Sequence, residues 1–178
     1  MRVISGKTRG TKLNYPDDEI TRPTSSRAKE GIFSSIQFDI DGKSALDLYA
    51  GSGALGIEAL SRGAKNAVFI EKNEKAVKVI EENLKKVKFY DNALVIREDV
   101  LSYLKKMYKT FDIVFMDPPY GKDLTSKTLK LLEGILNDEA IVLCELDSSD
   151  KEPQMPAFLE MIKTYKYGRV KIIKYKKR

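Results

Sequence analysis

SALDLYAGSGALGIEAL, residues 44–60, decides how the chain is read. SALDLY (44–49) is an apolar run interrupted by Asp47, the pattern of a strand buried on both faces. Glycines then tighten a turn and let a ligand approach the backbone without meeting a Cβ. Leu55, Ala59 and Leu60 follow at helical spacing. A strand, a glycine loop and a helix in this order leave free N–H groups at the helix start, where a negative group is favoured.

Downstream the same unit repeats. AVFIE (67–71), ALVIR (93–97), FDIVFM (111–116) and AIVLCEL (140–146) read as further buried strands. Asn73 is placed to cap a helix carrying Ala76, Val77, Ile80, Leu84 and Val87 on one face. A short helix with Leu101, Leu104 and Met107 is expected next, and later one with Leu129, Leu132, Ile135 and Leu136. Repeated βα units imply a mostly parallel sheet covered on both faces. Two extended segments, around 158–166 and 169–175, flank the turn Lys166–Arg169 and predict an antiparallel hairpin at the sheet edge. Residues 1–43 do not fit the repeat. Arg2–Ser5 and Thr11–Leu13 read as short strands, and a helix with Ala28, Ile32, Phe33 and Ile36 follows Pro23-Thr24. The division expected is therefore an N-terminal extension, 1–43, and a main domain, 44–178.

The chain has 178 residues, 42% hydrophobic and 33% charged, enough for one domain with a sizeable core. No apolar run approaches a membrane span, and no secretory signal is evident, so a cytoplasmic protein without membrane contact is expected. Cys144 stands alone within an apolar strand and reads as a core residue. Histidine is absent, which excludes Ser-His-Asp and Cys-His catalysis; no metal site is expected. The net charge is +6. Residues 1–16 carry Arg2, Lys7, Arg9 and Lys12 without an acid, and residues 161–178 are likewise basic without an acid. Clustered cations of this kind favour a polyanionic partner through counterion release.

Gly51, Gly53 and Gly56 match G-x-G-x-x-G, and Glu71 ends the second strand at the distance that suits a ribose diol. Both features fit a nicotinamide dinucleotide as well as S-adenosylmethionine. Asp47 separates the two: a carboxylate there would meet a cationic methionine amino group but repel a pyrophosphate. Asp99, after the third strand, is placed to accept a hydrogen bond from an adenine amino group. Strand ends in an open α/β sheet converge on one crevice, so Asp47, Glu71 and Asp99 can line one site.

Asp117-Pro118-Pro119-Tyr120 follows the fourth strand into the same crevice. An exocyclic amine on a base is a poor nucleophile because its lone pair is delocalised. An Asp carboxylate and a backbone carbonyl that accept hydrogen bonds from it would orient the lone pair and favour charge developing on nitrogen. The prolines restrict the backbone so that a carbonyl projects into the site, and Tyr120 offers a face for an extruded base.

DPPY after the fourth strand resembles the class I amino-group methyltransferases. ALDLYAGSGALGIEALSRGA (45–64), together with VISGKTRGTKL, TRPTSSRAKEGIF and the closing YGRVKIIKY, is similar to the small bacterial 16S ribosomal RNA guanine-N2 methyltransferases. The resemblance implies an α/β, Rossmann-like class I methyltransferase fold with a mostly parallel seven-stranded sheet. It implies S-adenosyl-L-methionine as methyl donor and N2 of one guanine as acceptor. The implied partner is 16S rRNA in the assembling small ribosomal subunit, approached by a monomer. Carried over by position, Asp47, Ala50, Gly51, Ser52 and Gly53 would hold the methionine portion, Glu71 and Lys72 the ribose, and Asp99 and Val100 the adenine. Asp117, Pro118, Pro119 and Tyr120 would hold the target base, and Arg9, Arg22, Thr24 and Arg27 would face the RNA. The same chemistry on adenine N6, cytosine N4 or a protein glutamine is the nearest alternative, although relatives acting on DNA adenine or on glutamine more often carry Asn at the position of Asp117. A dinucleotide-dependent oxidoreductase leaves DPPY without a role, and an RNA-binding protein devoid of catalysis leaves the intact acids unexplained.

Overall fold

The computed structural model describes residues 1–16, 26–119 and 123–178; Arg22, Thr24 and Tyr120 lie outside them. Strands β1 (Ser44–Leu48), β2 (Asn66–Glu71), β3 (Ala93–Arg97), β4 (Phe111–Met116), β5 (Leu136–Asp147), β6 (Leu159–Tyr167) and β7 (Val170–Lys177) form one seven-stranded sheet in the order β3-β2-β1-β4-β5-β7-β6. β1 to β5 pair in parallel, whereas β7 runs antiparallel between β5 and the edge strand β6. The mostly parallel sheet and the closing hairpin are those expected from the sequence.

The helices are α1 (Ser26–Ser34), α2 (Ala54–Ser61), α3 (Glu74–Lys86), α4 (Val100–Lys106) and α5 (Leu124–Lys130). Alternate strand residues enter two separate cores, as the period of two demands. Ala45, Phe69, Ile113, Phe115 and Leu143 pack with α1, α2 and α3 on one face. Leu46, Leu48, Val68, Val114 and Val142 pack with α4 and α5 on the other. Among the described residues no helix is long and apolar enough to cross a membrane.

Local chemistry accounts for the starts of two helices. Asn73 caps α3, its side chain accepting from the Lys75 and Ala76 N–H groups, as expected. Asp99 caps α4 by accepting from Ser102 N–H.

Three expectations are corrected. The helix drawn through Leu136 ends at Lys130; a 3₁₀ turn spans Glu133–Ile135, and Leu136 opens β5 opposite Phe111. Leucines spaced by three fit a helix, but pairing with β4 outweighs that local preference. The two N-terminal strands reduce to a single antiparallel bridge, Arg2 with Lys12, because the backbone of Ile4 and Ser5 bonds to the Glu58 side chain instead. On α3, Val77 is only partly buried, while Asn83 joins Ala76, Ile80 and Leu84 in the buried face.

Candidate active site and its anchoring

The strand order reverses between β1 and β4, and ligands of open α/β sheets bind outside the carboxyl ends of strands at such a switch point. The register places Leu48 beside Met116 and Ile70, and Glu71 beside Arg97. Asp99, Glu71, Asp47 and Asp117 therefore stand at the ends of four neighbouring strands, in that lateral order.

Each acid in the loop region holds backbone. Gly56 N–H donates to Asp47 Oδ2 at 2.8 Å, which ties the first turn of α2 down to β1. Glu71 accepts from Gly51 N–H at 3.0 Å through one oxygen and from Asn73 N–H at 2.8 Å through the other. The loop is tight: Tyr49, Gly51 and Gly53 all take positive φ, and Gly53 N–H closes onto Ala50 O at 2.7 Å. Gly56 is required for packing, since a Cβ there would lie 2.3 Å from the Phe69 ring. Gly51 differs, because a Cβ would meet nothing closer than Tyr49 O at 4.0 Å. The loop backbone is thus open at Gly51, the feature a ligand cradle needs.

Asp47 is 2% exposed. Burial pushes its carboxyl well above the usual carboxylate range; the Gly56 N–H opposes this, and the charges of Asp117 and Glu71 add to it. A cation at this point would relieve the repulsion among the carboxylates, and a pyrophosphate would increase it. S-adenosylmethionine, with its ammonium and sulfonium groups, suits the donor set; a dinucleotide does not. Ala50, Ser52 and Val100 are buried and Lys72 is exposed. Beyond β4, Pro118 is buried, Pro119 is exposed and Asp117 is partly buried. Cys144 on β5 is fully buried, and burial first, then Asp117 and Glu145, raises its thiol far above the usual range, so it is an inert core residue.

The N-terminal segment is held against this loop by groups that the sequence reading did not single out. Glu58, on the helix that the loop opens, is completely buried and accepts from four donors. These are Ile4 N–H (2.8 Å), Ser5 N–H (2.9 Å), Lys29 Nζ (2.9 Å) and Arg62 Nε (2.8 Å). Lys29 is equally buried and also donates to Arg2 O at 3.0 Å; burial lowers its pKa, with Glu58 opposing. Ser61 Oγ donates to Ser5 O and accepts from Thr8 N–H. Asn83 joins Asn14 to Ser52 through its side-chain amide. Tyr15, the next residue, buries its hydroxyl beside Ser52 without a well-aligned partner, and burial raises its pKa to about 12. A signal for Glu58 and Asn83 did exist: each is a polar residue within an otherwise apolar helix face.

Of the residues read as RNA-facing, Arg9 and Arg27 are exposed. Arg9 lines an open groove of about 510 Å3 together with Arg2, Ile4, Lys12, Ser26 and Glu30. Met1 also lines it, and the pKa of its amino group is lowered by burial and then by Lys29, Lys12 and Arg2. The groove is a concentration of positive charge at a fixed place relative to α2.

The sheet order, the glycine loop after β1 and the acids at the neighbouring strand ends define an α/β protein of the class I methyltransferase fold. Within that class the chain belongs to the family described as Conserved hypothetical protein 95, whose model matches residues 1–176. It is 37% identical to the rRNA methyltransferase candidate YlbH of Bacillus subtilis (strain 168), over the whole of both chains. It is 39% identical to Ribosomal RNA small subunit methyltransferase D of Escherichia coli (strain K12), across 88% of this chain and 80% of that one. Among solved structures, the Escherichia coli methyltransferase candidate yhhF superposes with a TM-score of 0.91 at 35% identity, covering 99% of this chain and 97% of the other.

Proposed function

We propose that this protein transfers a methyl group from S-adenosylmethionine to the exocyclic N2 of a guanine in 16S rRNA, acting as a cytoplasmic monomer on the small ribosomal subunit. The observation that carries the reading is the pairing, across the β1–β4 switch point, of an open glycine loop ringed by carboxylates with the Asp117-Pro118-Pro119 turn. Family membership and the names of the relatives supply the RNA class.

When bound, the donor supplies an electrophilic methyl on a sulfonium. The chain's own part is binding, orientation and charge. The loop from Ala50 to Gly53 offers backbone to the methionine portion, with Asp47 beneath it supplying negative potential. Glu71 is bonded to Gly51 N–H, so a ribose bound there would share the carboxylate that shapes the loop. Lys72 lies beside it, and Asp99 and Val100 at the head of α4 suit the adenine. Asp117 accepts hydrogen bonds from the guanine amino group together with a backbone carbonyl of the proline turn, directing the nitrogen lone pair to the methyl. Tyr120 is proposed as the stacking face, and Arg9, Arg22, Thr24 and Arg27 as contacts to the RNA backbone, which position without reading sequence. Residues 1–43 are then the RNA-facing part and 44–178 the donor-binding part.

The experiment is transfer of labelled methyl from S-adenosylmethionine to small subunits isolated from cells lacking this protein, followed by nucleoside analysis. Label in N2-methylguanosine is the expected result. Label in another nucleoside would retain the chemistry and replace the acceptor; no label, despite donor binding, would refute the RNA assignment.

A further inference from the structure

Asn83 stands in the apolar face of α3, between Ile80 and Leu84, and is completely buried. An apolar side chain on that face would need no hydrogen bond, whereas a buried amide must recover its lost hydration through hydrogen bonds. It does so with three hydrogen bonds to two targets. Oδ1 accepts from Asn14 N–H at 2.8 Å, and Nδ2 donates to Asn14 O and to Ser52 O, each at 3.0 Å.

The second target is the centre of the glycine loop. The Ser52 carbonyl belongs to the same planar peptide as the Gly53 N–H, and that N–H is held by Ala50 O at 2.7 Å. The peptide is therefore fixed from both sides. Glu71 fixes the Gly51 N–H. Gly51-Ser52-Gly53 is held at three backbone atoms, and of these three holders Asn83 is the one that also bonds the N-terminal segment. The first target, the Asn14 backbone, follows the buried Leu13 and precedes Tyr15, whose hydroxyl lies against Ser52.

We infer that Asn83 is a positioning residue for the methyl donor: it orients the Ser52–Gly53 peptide and makes the N-terminal segment at Asn14 part of the same hydrogen-bonded wall. This rests on the donor assignment proposed above. Removing the amide leaves the Ser52 and Asn14 carbonyls and the Asn14 N–H without their partner, so the loop loses its fixed shape before any ligand arrives. Donor affinity falls because binding must then restore that order. The chemical step with donor and RNA both saturating is unaffected, because Asn83 is assigned no contact with either.

The test is calorimetric titration of S-adenosylhomocysteine into the full-length protein, with the unfolding midpoint recorded for each variant. Asn83→Ala is expected to weaken binding about tenfold, to raise KM for S-adenosylmethionine by a similar factor and to leave kcat within about twofold. Leu84→Ala, an adjacent buried residue on the same helix, controls for stability: it should lower the midpoint at least as much while changing affinity less than about twofold. Asn83→Ser keeps a small polar group in the buried face but is too short to make all three bonds, and it serves if the alanine variant does not fold. A folded Asn83 variant that binds as tightly as the unaltered protein overturns the inference, and so does an equal loss of affinity in Leu84→Ala. If the unaltered protein itself fails to bind S-adenosylhomocysteine, the proposed function has failed instead.

Discussion

The carboxyl ends of β3, β2, β1 and β4 gather Asp99, Glu71, Asp47 and Asp117, whereas the groove of the N-terminal segment gathers Arg2, Arg9 and Lys12. The chain as a whole carries +6. Composition alone describes a uniformly basic protein, and the fold divides it into an acidic crevice and a basic flank. The two are also held differently. In the crevice Asp47, Glu71 and Asp99 accept from backbone N–H groups of the adjoining loops and helix starts, and Asp47 remains electrostatically costly. The basic flank is anchored through Glu58, a carboxylate surrounded by four donors. One site keeps unrelieved negative potential for a cationic ligand; the other neutralises its anchor completely and leaves its cations facing outward.

The sharpest way to break this contrast is at Asp117. Asp117→Ala is expected to reduce methyl transfer about a thousandfold while leaving S-adenosylhomocysteine affinity nearly unchanged, since its proposed partner is the base. Comparable turnover would remove the catalytic role from the crevice. On the other side, Glu58→Ala strands a buried ammonium, and a loss of about 3–5 kcal/mol in urea unfolding is expected. The double variant Glu58→Leu with Lys29→Met should recover only part of it, because it removes the stranded ammonium but leaves Ile4 N–H, Ser5 N–H and Arg62 without their acceptor. A negligible loss in Glu58→Ala would show that the anchor is not what fixes the N-terminal segment.

A smaller effect concerns pH. The folded-state pKa of Asp47 is raised, so between the ordinary carboxylate range and the raised value the folded protein binds a proton there more tightly than the unfolded chain does. The contribution of this group to stability is complete below the ordinary carboxylate range and is lost as pH rises towards the raised value. A cationic donor favours the ionised form, so S-adenosylmethionine affinity should increase with pH across the same window, by at most about tenfold per unit. Proton release should accompany binding, and Asp47→Asn should flatten the dependence; calorimetry in buffers of different ionisation enthalpy measures both. The least effect is expected on the basic flank. Arg9→Gln with Lys12→Gln should raise the KM for the subunit a few-fold and reduce its logarithmic salt slope by roughly one to two, without altering S-adenosylhomocysteine binding. An unchanged slope would separate the groove from the RNA.

Most of the sheet was legible because buried parallel strands are short, apolar and bounded by turns. ALVIR and FDIVFM coincide with β3 and β4 residue for residue. The glycine loop and the strand-end acids were legible for a similar reason: they lie within one or two residues of strands, so topology brings them together once the order is known. Leu136 was not, since its spacing from Leu129 and Leu132 suits a helix until pairing with Phe111 is available. Glu58 and Asn83 were legible only as polar residues within apolar helix faces; what they bind was not. Their partners lie 53 or 54 and 69 residues away along the chain for the N-terminal segment, and 31 away for Ser52. No local periodicity encodes such distances.

By itself the sequence determined the βα repeat, the G-x-G-x-x-G loop, the acids that follow the strands and the DPPY turn, because period, steric freedom and side-chain chemistry are local properties. It also determined that catalysis proceeds without histidine. Only the tertiary structure decided which alternate residues of each strand face α1, α2 and α3 and which face α4 and α5. It alone decided that Asp47 is buried within electrostatic reach of Asp117 and Glu71, and that a basic N-terminal segment is held beside the glycine loop through Glu58 and Asn83. Those outcomes depend on burial and on hydrogen bonds between distant segments, and neither quantity exists until the chain has folded.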